Sequence, residues 1–200
     1  MAEKFILILG GVRSGKSRFA QSMAAKLGEK VLFVATGEPL DEEMALRIEE
    51  HKRIRPKNWR TLEIDIKVGQ QLEGQIGDAD VVLLDCLTLL VSNILTKKGR
   101  GPFSSPSTGE DEGEGENDGA ISEAEKQVMA EMEDLIECIE RYEGSFIVVS
   151  NEVGLGLVPE SKLGRVYRDL LGKANQLLAQ RAGEVYFMAA GIPVKMKGAS

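Results

Sequence analysis

Histidine, tryptophan and cysteine are scarce in this 200-residue chain, at one, one and two copies. Cys86 and Cys138 sit in separate apolar runs, with no CxxC and no Cys/His grouping, so neither a zinc site nor a disulfide framework is expected and both read as buried free thiols. No apolar run approaches the ~20 residues of a membrane-spanning helix. The opening MAEKFILILGG has too short an apolar stretch for a secretory leader, and a cytoplasmic protein without a membrane span is expected. Positive charge is also in deficit, the net charge being −7. Residues 101–120 hold no Lys or Arg, and their six acids (Glu110, Asp111, Glu112, Glu114, Glu116 and Asp118) account for all but one unit of that charge. The body is therefore nearly neutral. It suggests no nucleic-acid partner, yet it does not exclude a small polyanionic ligand.

What is present is an alternation. Strand-length apolar runs at 5–9, 31–35, 61–64, 81–85, 146–150 and 185–189 are separated by segments of helical period, with a shorter strand at 193–196. This predicts an α/β fold with a mostly parallel sheet covered by helices on both faces. SEAE at 122–125 has capping-box spacing and opens an amphipathic run through Val128, Met132, Leu135, Ile136 and Ile139. A second long helix is expected from about Ser161 toward Gly183. The length suits one domain spanning 1–200. The Gly/Ser/Pro/acid-rich stretch at about 99–120 reads as a disordered insert, inert or an acidic recruiting segment.

The first strand runs into GGVRSGKS at 10–17, followed by a helix-like segment. The pattern fits G-x-x-x-x-G-K-[ST] in the context that gives it meaning. Backbone N–H groups of Gly10, Gly11, Val12, Arg13, Ser14 and Gly15 can wrap phosphate oxygens, Lys16 can neutralise the β- and γ-phosphates, and the Ser17 hydroxyl can ligate Mg²⁺. The alternative is a Gly-rich turn followed by a surface lysine. Asp85 ends the run VVLLD, where it either closes a turn or helps to hold Mg²⁺.

The single histidine, His51, lies in DEEMALRIEEHKRIR, a helical segment with Asp41 as N-cap and Pro56 as stop. Its neighbours Arg47, Lys52, Arg53 and Arg55 would repel an imidazolium and gather phosphate oxygens. A neutral imidazole beside a triphosphate is a nucleophile or base. A core-edge histidine, or cations complementing a helix C-terminus, are the structural alternatives. Without further information the chain also fits a plain small-molecule kinase or a P-loop regulatory module.

GGVRSGKS, ATG at 35–37, DEEMALRIEEHKRIRPKNWRTLE, LLDCLTLLVSN at 83–93, VSNEVGLGLVPE at 149–160 and the closing AAGIPVKMK together resemble the bifunctional adenosylcobinamide kinase and adenosylcobinamide-phosphate guanylyltransferase family of cobalamin biosynthesis. The resemblance implies a RecA-like P-loop fold, usually trimeric, that phosphorylates adenosylcobinamide and then attaches GMP from GTP to the product. It implies that His51 attacks the α-phosphate of GTP, releases pyrophosphate and carries GMP. It further implies that residues 10–17, Ala35, Thr36, Gly37, Lys52, Arg53, Ile54, Arg55, Glu63 and Asp85 line the GTP site, with Mg²⁺ at Ser17 and Asp85, and ATP or GTP as phosphoryl donor. Some relatives have a second histidine where this chain has Glu50, and an acid one carbon longer where it has Asp85.

Overall fold

The computed structural model describes residues 4–37, 42, 46, 49, 52, 53, 55–96 and 114–198. Among them the chain forms β1 (Lys4–Gly10), α1 (Lys16–Leu27), β2 (Val31–Ala35), β3 (Arg60–Glu63), α2 (Val68–Leu72), β4 (Val81–Asp85), α3 (Leu87–Thr96), α4 (Glu114–Arg141), β5 (Ser145–Val149), α5 (Lys162–Arg181), β6 (Glu184–Ala189) and β7 (Ile192–Lys197). The strands make one sheet in the order β3-β2-β4-β5-β1-β6-β7. All neighbours are parallel except β6 and β7.

The apolar runs are continuous rather than alternating because both faces of the central strands are buried, as parallel sheets require. Leu7, Leu32, Val34, Val82, Leu84, Phe146 and Val148 point to one face, where α2, α3, α4 and α5 cover them with residues such as Leu72, Leu90, Met132, Leu135 and Leu171. Ile6, Ile8, Phe33, Leu83, Ile147 and Val149 point to the other. There α1 packs closely through Ala20 and Ala24, which are fully buried, with Trp59 beside it. The expected mostly parallel sheet with helices on both faces is therefore what the chain forms.

One boundary differs from expectation. The long helix starts at Glu114, so Ser122 and Glu125 lie within α4 and not at its mouth. Residues 97–113, the greater part of the expected insert, lie outside the described residues. Ser161 does cap α5: its hydroxyl accepts from the Gly164 N–H at 3.1 Å. The hairpin joining β6 and β7 turns on Ala190 and Gly191, both at positive φ (51° and 81°). That pair gives the left-handed two-residue turn suited to twisted antiparallel strands.

Candidate active site

The C-terminal ends of β1, β2, β4 and β5 open on a cavity of about 700 Å³, a size that accommodates a nucleotide. Its floor is Val12 to Ser17 of the loop at 10–17, with Gly10 and Gly11 behind them and outside the lining. Gly10 (φ 151°) and Gly15 (φ 93°) take backbone conformations unfavourable to other residues. A Cβ on Gly10 would also stand 2.5 Å from the Met188 carbonyl oxygen. The β6–β7 turn buttresses the loop from behind, since the Gly191 N–H donates to the Ser14 carbonyl at 3.0 Å. This contact assigns a structural role to the AAGIP stretch.

Lys16 is buried at 8% exposure, and its ammonium donates to the Gly11 carbonyl at 2.6 Å, within the loop itself. Burial pushes its pKa below the ordinary lysine value, while Cys86 and Asp85 push it back up. Asp85 ends β4, in register with Ala35 on one side and Val149 on the other. Ser17 and Asp85 line the same cavity. A hydroxyl and one carboxylate facing a phosphate cradle are the sparse oxygen set that Mg²⁺ uses when substrate phosphates and water complete its shell, so these residues fit that ion.

The wall opposite the loop carries further charge. Arg55 is held with its guanidinium 3.5 Å from the centroid of the Phe33 ring, and it donates to the Thr61 hydroxyl at 2.9 Å. Burial lowers its pKa, and Asp85 and Glu63 oppose that. Its Nε finds no hydrogen-bond partner among the described residues. A desolvated, stacked guanidinium with donor capacity in hand is suited to a phosphate oxygen. Lys52 pairs with Glu63 at 3.0 Å, and both line the cavity.

The sequence-predicted residues are brought together unevenly. Val12, Arg13, Ser14, Gly15, Lys16, Ser17, Ala35, Gly37, Lys52, Arg55, Glu63 and Asp85 share the cavity. Thr36 does not line it, yet it locks the tip of β2 to β4: its hydroxyl donates to the Cys86 carbonyl (2.6 Å) and accepts from the Cys86 N–H (2.9 Å). Asn93, 4% exposed, holds the Thr36 carbonyl (2.8 Å) and the Asp65 carbonyl (3.0 Å) through one amide nitrogen. Arg53 is exposed and absent from the lining. His51 and Ile54 lie outside the described residues, although Lys52, next to His51, is at the cavity. Sequence reasoning missed Phe33, Thr88 and Asn151, which also line it. The signal available for Asn151 was its place just beyond the C-terminal end of a parallel strand, where α/β sheets bind ligands.

A second recess of about 490 Å³, bordered by Glu73, Asp78, Asp134, Glu137 and Arg141, lies away from the phosphate loop. It has no comparable cradle.

The chain is similar to known proteins over most of its length. The family model for cobinamide kinase / cobinamide phosphate guanyltransferase matches residues 6–196. The bifunctional adenosylcobalamin biosynthesis protein CobU of Escherichia coli (strain K12) is 40% identical over 193 residues, covering 96% of this chain and 99% of that protein. Its Salmonella typhimurium (strain LT2) namesake is 38% identical at the same coverage. The bifunctional adenosylcobalamin biosynthesis protein CobP of Pseudomonas aeruginosa (strain PAO1) is 38% identical, covering 96% of each chain. Of solved structures, the RadB recombinase overlays with a TM-score of 0.44 at 13% identity, over 92% of this chain and 73% of that one.

Proposed function

The chain belongs to the cobinamide kinase / cobinamide phosphate guanyltransferase family, and from that premise we propose that it runs both reactions with nucleotides bound at the single cavity above β1, β2, β4 and β5. It is a bifunctional enzyme of adenosylcobalamin biosynthesis. One observation carries the assignment of the site: a phosphate loop, a strand-end carboxylate, two cations and an acceptor carboxylate converge on one nucleotide-sized space.

In the kinase step the loop N–H groups and Lys16 bind the β- and γ-phosphates. Lys16 leaves the Gly11 carbonyl, which holds its ammonium at 2.6 Å, for phosphate oxygens that reward a desolvated cation more strongly. Mg²⁺ would be held by Ser17 and Asp85 and would supply positive charge against the charge that develops on the phosphates. The hydroxyl of adenosylcobinamide receives the γ-phosphoryl group. Either ATP or GTP can serve this step, because the loop reads phosphates and not the base.

In the second step His51 attacks the α-phosphate of GTP. An N–P bond forms, the α–β P–O bond breaks, and pyrophosphate departs with its electron pair. The phosphate oxygen of adenosylcobinamide phosphate then displaces the imidazole, giving adenosyl-GDP-cobinamide. Support comes from the residues that follow the histidine: Lys52, next to it in the chain, and Arg55 both line the cavity. Glu63 is proposed to accept from guanine N1–H and N2–H₂ together, a pairing adenine cannot offer, with Lys52 then released to phosphate.

The assembly is proposed to be a homotrimer. Ile192, Val194 and Met196 stand exposed along the edge strand β7 (64%, 52% and 64%), an apolar stripe suited to burial against another copy. Among the described residues no helix is long and apolar enough to cross a membrane.

Product analysis with adenosylcobinamide, Mg²⁺ and GTP tests the pair of activities. Formation of a nucleoside diphosphate in the first step and pyrophosphate in the second is the expected result. Diphosphate alone reduces the protein to a kinase.

A further inference from the structure

Strand β5 lies between β1 and β4 in the sheet. Its C-terminal end therefore falls between the phosphate loop and Asp85, the two features that locate a bound nucleotide's phosphates. The three residues that follow β5 are clamped. The Ser150 N–H donates to the Ile8 carbonyl at 2.9 Å, and the Glu152 N–H donates to the Gly10 carbonyl at 3.0 Å. Between them the Asn151 N–H donates to the Thr88 hydroxyl at 2.8 Å, and its carbonyl accepts from the Asn175 amide nitrogen at 3.0 Å.

The support beneath this clamp is itself costly. Asn175, from α5, is only 6% exposed, and its Oδ1 finds no partner among the described residues. The hydroxyl of Ser150, at 0% exposure, is likewise unpartnered there. Buried polar atoms without partners are uncommon and call for a reason. Tyr167 adds a hydrogen bond to the Thr88 carbonyl at 3.3 Å, fixing the other half of the clamp. The bonds named engage the Asn151 backbone and leave its amide unused, and the half-buried residue lines the cavity with Lys16, Asp85 and Thr88.

From this placement we propose that Asn151 is a catalytic residue of the kinase step, its amide Nδ2 donating to an oxygen of the terminal phosphoryl group bound at the phosphate loop. Asn175 is its positioning residue. The proposal rests on the nucleotide-kinase reading above. An amide suits the place: it donates to phosphate without carrying charge, and it neither repels the phosphate nor competes for its proton. In the transfer, the bond from the γ-phosphorus to the β,γ-bridging oxygen breaks and its electron pair stays on the diphosphate. The acceptor oxygen bonds to phosphorus, and its proton leaves to solvent. The Nδ2–H holds one equatorial oxygen in place while charge redistributes, as preorganised donors do. GMP transfer breaks the α–β bond instead, so it depends less on this contact.

The test compares dissociation constants for ADP and for the β,γ-imido analogue of ATP, with Mg²⁺, in wild type, Asn151→Ala, Asn175→Ala and the double variant. Asn151→Ala is expected to lose about tenfold of the preference for the triphosphate analogue, the loss of one hydrogen bond to a charged group, with ADP affinity unchanged. Kinase kcat should fall by on the order of 10²-fold, as for loss of one preorganised donor, and GMP transfer by much less. Asn175→Ala should shift the same ratio in the same direction, and the double variant should be no worse than Asn151→Ala. An unchanged triphosphate-to-diphosphate ratio in a folded Asn151→Ala protein overturns the proposal. Additive effects in the double variant overturn the role of Asn175. Failure of the wild type to phosphorylate adenosylcobinamide would strike the substrate reading alone, since the affinity ratio needs no corrinoid.

Discussion

Asn93→Leu tests whether the buried amide on α3 holds the nucleotide site together. The substitution keeps the number and branching of the side-chain heavy atoms, so it opens no cavity and removes the amide's hydrogen bonds. It removes the donor shared by the Thr36 and Asp65 carbonyls, at 2.8 and 3.0 Å. A buried carbonyl that loses its donor costs about 1–3 kcal/mol, and because the Thr36 carbonyl is buried and the Asp65 carbonyl only part-buried, the two together cost roughly 2–5 kcal/mol. Total stability is on the order of 5–15 kcal/mol, and in a domain of this size ~1 kcal/mol moves Tm by about 2–4 °C. A fall in Tm of roughly 5–20 °C is therefore expected. Thr36 also grips the Cys86 backbone, N–H and carbonyl alike, through its hydroxyl. Loosening it should displace Ala35 and Gly37 and weaken GTP binding as well. Thermal unfolding by circular dichroism gives the first number and fluorescence titration the second. Asn93→Asp, which places a carboxylate against two carbonyl oxygens, should be worse than Asn93→Leu. A leucine variant that melts within ~2 °C of wild type and binds GTP normally refutes the reasoning.

Other outcomes follow from separate contacts. Glu63→Gln should lower the preference for GTP over ATP in covalent labelling, and an unchanged ratio would reassign base recognition. Gly10→Ala should depress both Tm and nucleotide affinity, because the new Cβ meets the Met188 carbonyl at 2.5 Å on a backbone at φ 151°; a variant binding nucleotide like wild type would contradict the packing of β6 behind the loop. Burial pushes the Cys86 thiol up to about 11, so its alkylation, followed by peptide mass spectrometry, should be slow at pH 8 and rise with pH toward that value. Rapid labelling of the folded protein at pH 8 would contradict this. By linkage, the unfolded chain gives up that proton from about pH 9 while the native chain keeps it, so stability should decline as pH rises from there toward 11.

The strands were legible because a sheet buried on both faces writes itself as unbroken runs such as FILIL and VVLLD, and the phosphate loop because its geometry demands particular residues at fixed spacing. The helix start near Ser161 was readable for a local reason, the serine hydroxyl reaching only three residues ahead to the Gly164 N–H. What escaped was decided by partners distant in sequence. Asn151 depends on Thr88 and Asn175, Thr36 on Cys86 and Asn93, and Ser14 on Gly191, and no local pattern records such meetings. The start of α4 escaped for a different reason. Composition marked residues 114–120 as part of a loop-like insert, whereas the helix runs from Glu114.

One nucleotide cavity is proposed to serve two chemistries, with His51 as the GMP carrier. The most direct measurement incubates wild-type, His51→Ala and Lys16→Ala proteins with α-labelled GTP and Mg²⁺, denatures them, and reads the label retained on protein. Wild type should hold an acid-labile, base-stable adduct, as a phosphoramidate is, and His51→Ala should hold none while still phosphorylating adenosylcobinamide. Lys16→Ala should be impaired in both reactions. Label retained by a folded His51→Ala protein would place the nucleophile elsewhere, and loss of both activities in that variant would contradict the division of labour.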